Sequence, residues 1–172
     1  MRSFQCSRIF WKQRNPFLNS RLEIALAFSE DSLAVRTGAD DIRSASEWLA
    51  RFCSERDVPA DQLFRLDLCL NEVMANIASH GGESALDSAV LLAIVISVKD
   101  ECAEATLTVS DSGKPFNPLT AVATPQAQSL EDAVPGGLGL TMIACYSDQL
   151  DYNFSKRRNH LKITVRWTRS PS

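Results

Sequence analysis

The chain has 172 residues, 45% of them hydrophobic and 23% charged, which suits one compact domain with a sizeable core. Its formal net charge of -3 argues against a general nucleic-acid binder, and no apolar run approaches the roughly 18 residues that a membrane helix needs. The five cysteines are scattered without a C-x-x-C pair, so we expect reduced, mostly packed thiols, no zinc site and a cytoplasmic location.

The amino-terminal segment differs from the rest, and we predict a tail over residues 1–20 and a single domain over residues 21–172. Up to Arg21 the chain has no acidic residue. Three interpretations stay open: a loosely ordered tail or cloning extension, an arm for a partner or for self-association, and a targeting peptide, although no apolar core region is present. Its basic residues are Arg2, Arg8, Lys12, Arg14 and Arg21, and its aromatic residues are Phe4, Phe10, Trp11 and Phe17.

The first half of the domain reads as strand, helix, helix. Alternating residues at 21–28 and 32–37 predict one or two strands that open the sheet, and residues 39–56 predict a helix with one apolar face. Pro59 marks a break, after which a helix over residues 61–80 begins with Asp61 as its N-cap. The apolar residues of this helix recur at steps of three and four, and two glycines end it. They are Leu63, Leu66, Leu70, Val73 and Ile77.

The second half contains two hairpins separated by a long connection. Strands at 90–98 and 104–110 flank a turn at 99–101, and strands at 150–154 and 161–167 flank a second turn. Residues 114–136 hold four of the seven prolines and little periodicity, so we expect a functional or mobile segment, followed by a helix at 137–146. Together these elements predict an α+β fold, a two-layer sandwich with a largely antiparallel mixed sheet and helices on one face.

The helix at 61–80 carries a polar ridge of Glu72, Asn76 and His80, spaced four apart beside the apolar stripe. A solvated helix face is the simple explanation. However, asparagine is a poor helix former, and Asn76 stands here among apolar neighbours. Its carbonyl oxygen would suit Mg²⁺, and a nearby glutamate could take a proton from a hydroxyl group or orient a water.

Two further motifs could bind a nucleotide. Asp111, at the end of a strand, could accept a hydrogen bond from the exocyclic amine of a base, while Gly113 would let a ring approach; a plain turn is the alternative. The run Gly136-Gly137-Leu138-Gly139-Leu140 opens a helix, where backbone amides could face an anion; a glycine-rich connection is the alternative. Neither a P-loop nor a Rossmann motif is present in the sequence.

In this order and setting, the three motifs resemble the N, G1 and G2 boxes of the GHKL (Bergerat-fold) ATPase superfamily, over about residues 32–167. Within it, the short chain and the segments LCLNEVMANIASHGG and VSDSGKPFNP are similar to the anti-sigma-factor serine/threonine protein kinases of bacterial partner-switching systems. The resemblance implies a single histidine-kinase-like ATPase domain that uses ATP and Mg²⁺ and phosphorylates serine on a protein.

The resemblance also implies a role for each motif residue. Asn76 would ligate Mg²⁺ on the ATP phosphates, and Glu72 would be the general base on the serine hydroxyl or position a water. Asp111 would bind the adenine amino group beside Gly113, and His80 would contact ATP or serve packing. Residues 114–136 would form the ATP lid. The amides at the start of the following helix would face the phosphates, in the segment Gly137, Leu138, Gly139 and Leu140.

The implied partners are a STAS-domain antagonist as substrate, a sigma factor or other regulator, and a second copy of the chain, with no direct contact to nucleic acid or membrane. Two departures from the family pattern matter. Val134-Pro135 occupies the place of an arginine before the G2 glycines, and Arg158-Asn159-His160-Leu161 stands where a Gly-Thr pair is common. A nucleotide-binding regulatory module with little or no kinase activity is therefore the alternative function. A plain ATP hydrolase and a domain that binds no nucleotide remain further possibilities.

Overall fold

A computed structural model describes residues 27–122 and 137–169 of the chain, so the predicted tail and most of the predicted lid lie outside the described residues. The described strands form one sheet of five, in the order β1-β2-β3-β5-β4. All four pairings in it are antiparallel, which confirms the predicted α+β class. The strands are β1 (Ala27–Val35), β2 (Val90–Lys99), β3 (Cys102–Asp111), β4 (Gln149–Ser155) and β5 (Arg158–Thr168).

The helices pack on one face of this sheet and complete the predicted two-layer sandwich. Helix α2 lies in the middle of the helical layer, where it contacts α1, α5 and strands β3 and β5. Helix α1 covers β1, and Trp48 Nε1 donates a hydrogen bond of 3.0 Å to Asp31 Oδ2 there. The helices are α1 (Ala39–Ser54), α2 (Ala60–His80), α3 (Glu83–Asp87), α4 (Pro118–Val122) and α5 (Gly137–Tyr146).

Burial alternates along the central strands because, among the described residues, helices cover one face of the sheet only. Most inward residues of the three central strands are apolar and buried, with Asp111 and Asn159 as buried polar exceptions. On the opposite face Arg166 pairs with Glu104 at 3.0 Å and Thr106 with Thr164 at 2.9 Å. This pattern fixes which side chains of each strand reach the helical layer. The inward residues include Val90, Leu92, Ile94, Ile96, Ala103, Ala105, Leu107, Val109, Leu161, Ile163 and Val165.

The structure corrects two predicted element boundaries. Ser29, Glu30 and Asp31, which lie between the two segments predicted to open the sheet, pair with β2 without a break, so Ala27–Val35 forms one strand, β1; residues 21–26 lie outside the described residues. Helix α2 begins at Ala60, with Pro59 at the N-cap and no side-chain cap, so Asp61 is a first-turn residue and not the N-cap. Its carboxylate there still favours the positive end of the helix dipole.

Two five-residue helices appear where the sequence predicted loops. Helix α3 follows Gly82, whose φ of 76° turns the chain sharply after α2. Helix α4 lies inside the segment predicted as irregular; it starts at Pro118, and Asn117 Oδ1 accepts a hydrogen bond of 3.0 Å from the Leu119 amide. Proline at the first helical position and asparagine before it are typical of a helix start. Helices this short leave no periodic signal.

Two buried cysteines lie in the helical layer. Cys53 and Cys69 are fully buried, and the Cys69 thiol donates to the Ile143 carbonyl oxygen at 3.9 Å, which links α2 to α5. Burial raises the pKa of Cys53 to about 11 and that of Cys69 to about 12. Cys102 and Cys145 are exposed instead, so packing describes two of the four cysteines in the described ranges. No helix within these ranges is both long and apolar enough to span a membrane.

These two thiols should make the fold sensitive to alkaline pH. The folded state holds their protons above the ordinary pKa of 9.0, whereas the unfolded chain releases them near that value. Their contribution to stability is therefore complete below pH 9 and is lost as the pH rises towards 11 to 12. We expect the free energy of unfolding, measured with urea between pH 8 and 11, to fall less steeply in Cys69→Ala, by up to about 1.4 kcal/mol per pH unit.

Cys145→Ala is the matched control, because this thiol is exposed and its replacement should leave the pH slope unchanged. Equal slopes for Cys69→Ala, Cys145→Ala and the natural sequence would contradict the prediction.

Candidate nucleotide-binding site

Helices α2 and α5 bring together the residues of two predicted motifs. Glu72 and Asn76, both half-buried, face the first turn of α5. A Cβ atom on Gly139 would overlap the Glu72 carboxylate and would lie 3.8 Å from Asn76 Nδ2. Glycine at this position therefore lets the carboxylate and the amide lie directly against the amino-terminal end of α5. An anion bound at that end would meet both side chains.

Asn76 has an unmet hydrogen-bonding group. Its Nδ2 atom is buried and has no partner among the described residues, which is costly for an amide unless a ligand or a rotated amide satisfies it. Within the same ranges, no group of three or more His, Cys, Asp or Glu side chains could hold a metal ion by itself. Mg²⁺ often takes only one or two protein ligands and completes its shell with phosphate oxygens and water. Asn76 fits such a shared site through its side-chain oxygen, Oδ1, while Nδ2 could donate to a phosphate oxygen.

Asp111 is the last residue of β3 and is 8% exposed. Its Oδ1 atom accepts two hydrogen bonds, from the Gly113 amide at 2.7 Å and from Asn159 Nδ2 at 3.0 Å. The second carboxylate oxygen, Oδ2, carries no hydrogen bond from the described part of the chain. Asp111 is thus held by one oxygen and can accept a hydrogen bond from a ligand with the other.

Gly113 is needed for a reason that the sequence did not reveal. A Cβ atom there would lie 2.9 Å from the Gly81 carbonyl oxygen, 3.0 Å from Gly81 Cα and 2.7 Å from Asp111 Oδ1. The Lys114 amide also donates to the Gly81 oxygen at 3.2 Å. The chain after β3 therefore lies in backbone contact with the end of α2, so Gly113 serves this contact whether or not it also clears space for a ring.

Helix α2 sets the distance between the two halves of the site. Glu72 and Gly81 are nine residues apart on it, which corresponds to about 14 Å along the helix axis. The Asp111 end adjoins Gly81, and the Gly139 end adjoins Glu72. An extended nucleoside triphosphate of comparable length could place its base at the first end and its phosphates at the second.

The remaining predicted residues divide into two groups. His80 is the last residue of α2 and is exposed, and its side chain makes no hydrogen bond to the described residues. Leu140 is half-buried and packs against the hydrophobic core, so its side chain serves packing. Gly137 and Leu138 form the first turn of α5, where their amides belong to the helix start, and the position of the Leu138 side chain lies outside the description.

Sequence reasoning missed Asn159, which is 7% exposed and stands opposite Asp111 in the β3–β5 pairing. Its Nδ2 atom donates to Asp111 Oδ1 and, at 3.1 Å, to the Lys114 oxygen; its Oδ1 atom accepts from Tyr152 Oη at 2.7 Å and from the Phe116 amide at 3.2 Å. A signal existed: position 159 continues the inward series of β5 and is polar. Asn159, which lies where the family commonly has a Gly-Thr pair, is thus a residue of the candidate site.

The fold and the arrangement of these motifs define a GHKL-type ATPase domain. The chain belongs to the family described as histidine kinase-like ATPase domain, which matches residues 35–165. It is similar to the serine/threonine-protein kinase BtrW of Bordetella bronchiseptica, with 31% identity over 134 residues that cover 78% of this chain and 92% of that protein. The predicted resemblance to the superfamily and its serine kinase branch is confirmed.

A solved structure shares the fold. The chain matches the crystal structure of the SiaB-SiaC complex from Pseudomonas aeruginosa with a TM-score of 0.56 and 14% identity, over 78% of this chain and 88% of that one. At this identity the likeness establishes the fold and not the activity.

The contact between Gly113 and Gly81 yields a prediction for Gly113→Ala. The added methyl group would press on backbone atoms, which cannot move aside as a side-chain end can. We expect the free energy of unfolding to fall by about 1–3 kcal/mol and the affinity for ATP to fall with it, measured by urea denaturation and calorimetry.

Gly38→Ala is the matched control, because a Cβ atom there would meet only the Asp41 carboxylate at 3.0 Å. Because Gly38 is the N-cap of α1, where alanine is less favourable than glycine, the change should lower stability by no more than about 1 kcal/mol and should leave ATP affinity unchanged. A Gly113→Ala protein as stable as the control, with full affinity for ATP, would show that the backbone contact is unimportant.

Proposed function

We propose that the protein is an ATP- and Mg²⁺-dependent serine protein kinase and an anti-sigma regulator in a partner-switching system. One observation carries this proposal: two groups of site residues lie along the second half of α2. Glu72 and Asn76 lie against Gly139, while Asp111 lies near Gly81 at the carboxyl end of the helix. The similarity to a protein named serine/threonine-protein kinase, over 92% of that protein's length, supports it.

Glu72 would act as the general base in the proposed reaction. It takes the proton of the incoming serine hydroxyl while that oxygen forms a bond to the γ-phosphorus, and the bond to the bridging oxygen breaks to release ADP. The amides at the start of α5 hold the phosphates, and Asn76 provides the protein ligand for the metal. Bound Mg²⁺ supplies neutralisation of the phosphate charge. Positioning and charge stabilisation therefore supply most of the catalysis.

The proposed protein substrate is a small STAS-domain antagonist, and the proposed second partner is a sigma factor or another regulator. The structural neighbour SiaB was solved in complex with SiaC, which gives one example of this fold bound to a second protein. Nucleotide state would select the partner, because a ligand favours the conformation that it binds better. We further propose a homodimer in the cytoplasm without direct nucleic-acid contact, in keeping with the net charge of -3.

A nucleotide-binding regulatory module with little or no kinase activity is the second candidate. One sequence feature favours this candidate: Val134-Pro135, outside the described residues, stands where many related kinases have an arginine. The other departure does not favour it, because Asn159 contacts Asp111 at the base end of the site rather than the groups around Glu72.

Glu72→Gln separates the two candidates, since the amide keeps the size of the side chain but cannot take the proton. With Mg-ATP and the STAS-domain protein, the natural chain should form phosphoserine, and Glu72→Gln should slow transfer by about 100-fold or more. Its affinity for ATP, measured by calorimetry, should change little.

Glu47→Gln on α1 is the matched control, because it alters an exposed glutamate away from the site, and it should transfer phosphate at the natural rate. If the natural chain binds ATP but forms no phosphoserine on the STAS-domain protein, the kinase proposal is refuted and the regulatory module remains as the function.

A further inference from the structure

The orientation of the Asn159 amide is fixed by its partners. The Phe116 amide can only donate, so the atom that it contacts at 3.2 Å must be the carbonyl oxygen of the side chain. The Lys114 and Gly113 carbonyl oxygens can only accept, at 3.1 and 3.4 Å, so the atom facing them must be the nitrogen. Tyr152 Oη donates to the same carbonyl oxygen at 2.7 Å. A rotated amide would oppose the Phe116 amide and the two carbonyl oxygens, whereas the tyrosine hydroxyl could adapt by accepting instead.

This fixed amide determines how Asp111 can bind a ligand. Asn159 Nδ2 and the Gly113 amide both donate to Asp111 Oδ1, at 3.0 and 2.7 Å. Two donors on one oxygen hold the carboxylate in one orientation. The other oxygen, free of hydrogen bonds to the described residues, is then presented as an acceptor in a setting where both side chains are less than a tenth exposed.

We propose that Asn159 is a positioning residue that makes the site selective for purines with a 6-amino group. The amine of adenine would donate to Asp111 Oδ2. The 6-keto oxygen of guanine would instead face a carboxylate oxygen, and two buried acceptors opposed in this way repel each other. This inference rests on the proposed nucleotide site and adds the residue that gives the site its base selectivity.

The same amide also joins the base end of the site to the chain that leads towards the predicted lid. It holds the Lys114 carbonyl and the Phe116 amide, and Asn117 next to them caps α4. Loss of the Asn159 amide therefore releases Asp111 and this segment together. The selectivity for the base, rather than affinity alone, is the property that distinguishes positioning of Asp111 from loosening of the segment.

Asn159→Leu tests the proposal, because leucine is similar in size and has no hydrogen-bonding group. The dissociation constants of Mg²⁺ complexes of ATP, GTP and purine riboside triphosphate, which lacks the 6-amino group, are measured by calorimetry. The natural chain should prefer ATP to both by about tenfold or more, the value of one hydrogen bond to a charged group. In Asn159→Leu, we expect that preference to fall to within about threefold.

Asn153→Leu is the matched control, since Asn153 is exposed on the neighbouring strand, and it should keep the full preference for ATP. Tyr152→Phe removes only the hydroxyl that holds the Asn159 amide and should reduce the preference in the same direction. It decides the question if Asn159→Leu does not fold. In an Asp111→Asn background, Asn159→Leu should cause no further loss of preference, because the two residues act as one unit.

A folded Asn159→Leu or Tyr152→Phe protein with the full preference for ATP, beside a natural chain that binds ATP, would overturn this inference alone. A further loss of preference in the Asp111→Asn background would also overturn it. A natural chain that binds none of the three nucleotides would overturn the inference and the proposed function together.

Discussion

The carboxyl end of helix α2 touches the chain after β3 through backbone atoms, and the site depends on this contact. A Cβ atom on Gly113 would lie 2.9 Å from the Gly81 oxygen, and one on Gly81 would lie 2.6 Å from the Ile77 oxygen. Farther along α2, a Cβ atom on Gly139 would overlap the Glu72 carboxylate. The close contacts of Gly113 and Gly139 therefore set where the chain after β3 and the start of α5 lie along the second half of α2, while the contact of Gly81 is within the last turn of α2 itself.

Hydrogen bonds then determine which atoms of Asp111 and Asn76 are available to a ligand. At the proposed base end, Asn159 and the Gly113 amide hold one oxygen of Asp111, which leaves the other oxygen as an acceptor for a ligand. At the phosphate end, the buried Nδ2 atom of Asn76 has no partner among the described residues, as suits a group that awaits a ligand. A buried polar network of this kind is stabilising only when each member is satisfied, so binding of a nucleotide would complete it.

The sequence predicted long, periodic elements and missed short or non-local ones. The helix that contains Leu66 and the strand that contains Leu107 have a hydrophobic periodicity that burial of one face explains, so their type and order could be predicted from the sequence. Helices α3 and α4 have five residues each, too few to show a period, and the start of α2 depended on whether Pro59 or Asp61 occupied the cap. The order of the three motifs along the sequence was enough to predict the site residues. However, the role of Asn159 depends on a partner 48 residues away.

The central claim is that one nucleotide lies along the second half of α2, from Glu72 to the carboxyl end of the helix, and a nuclear magnetic resonance titration tests it most directly. A non-hydrolysable ATP analogue with Mg²⁺ is added to ¹⁵N-labelled protein, and the amide signals of Gly113 and Gly139 are followed together. One extended ligand along α2 predicts that both signals shift with the same dissociation constant, whereas adenosine alone shifts mainly Gly113. A shift at only one glycine, or two different dissociation constants, would contradict a single continuous site.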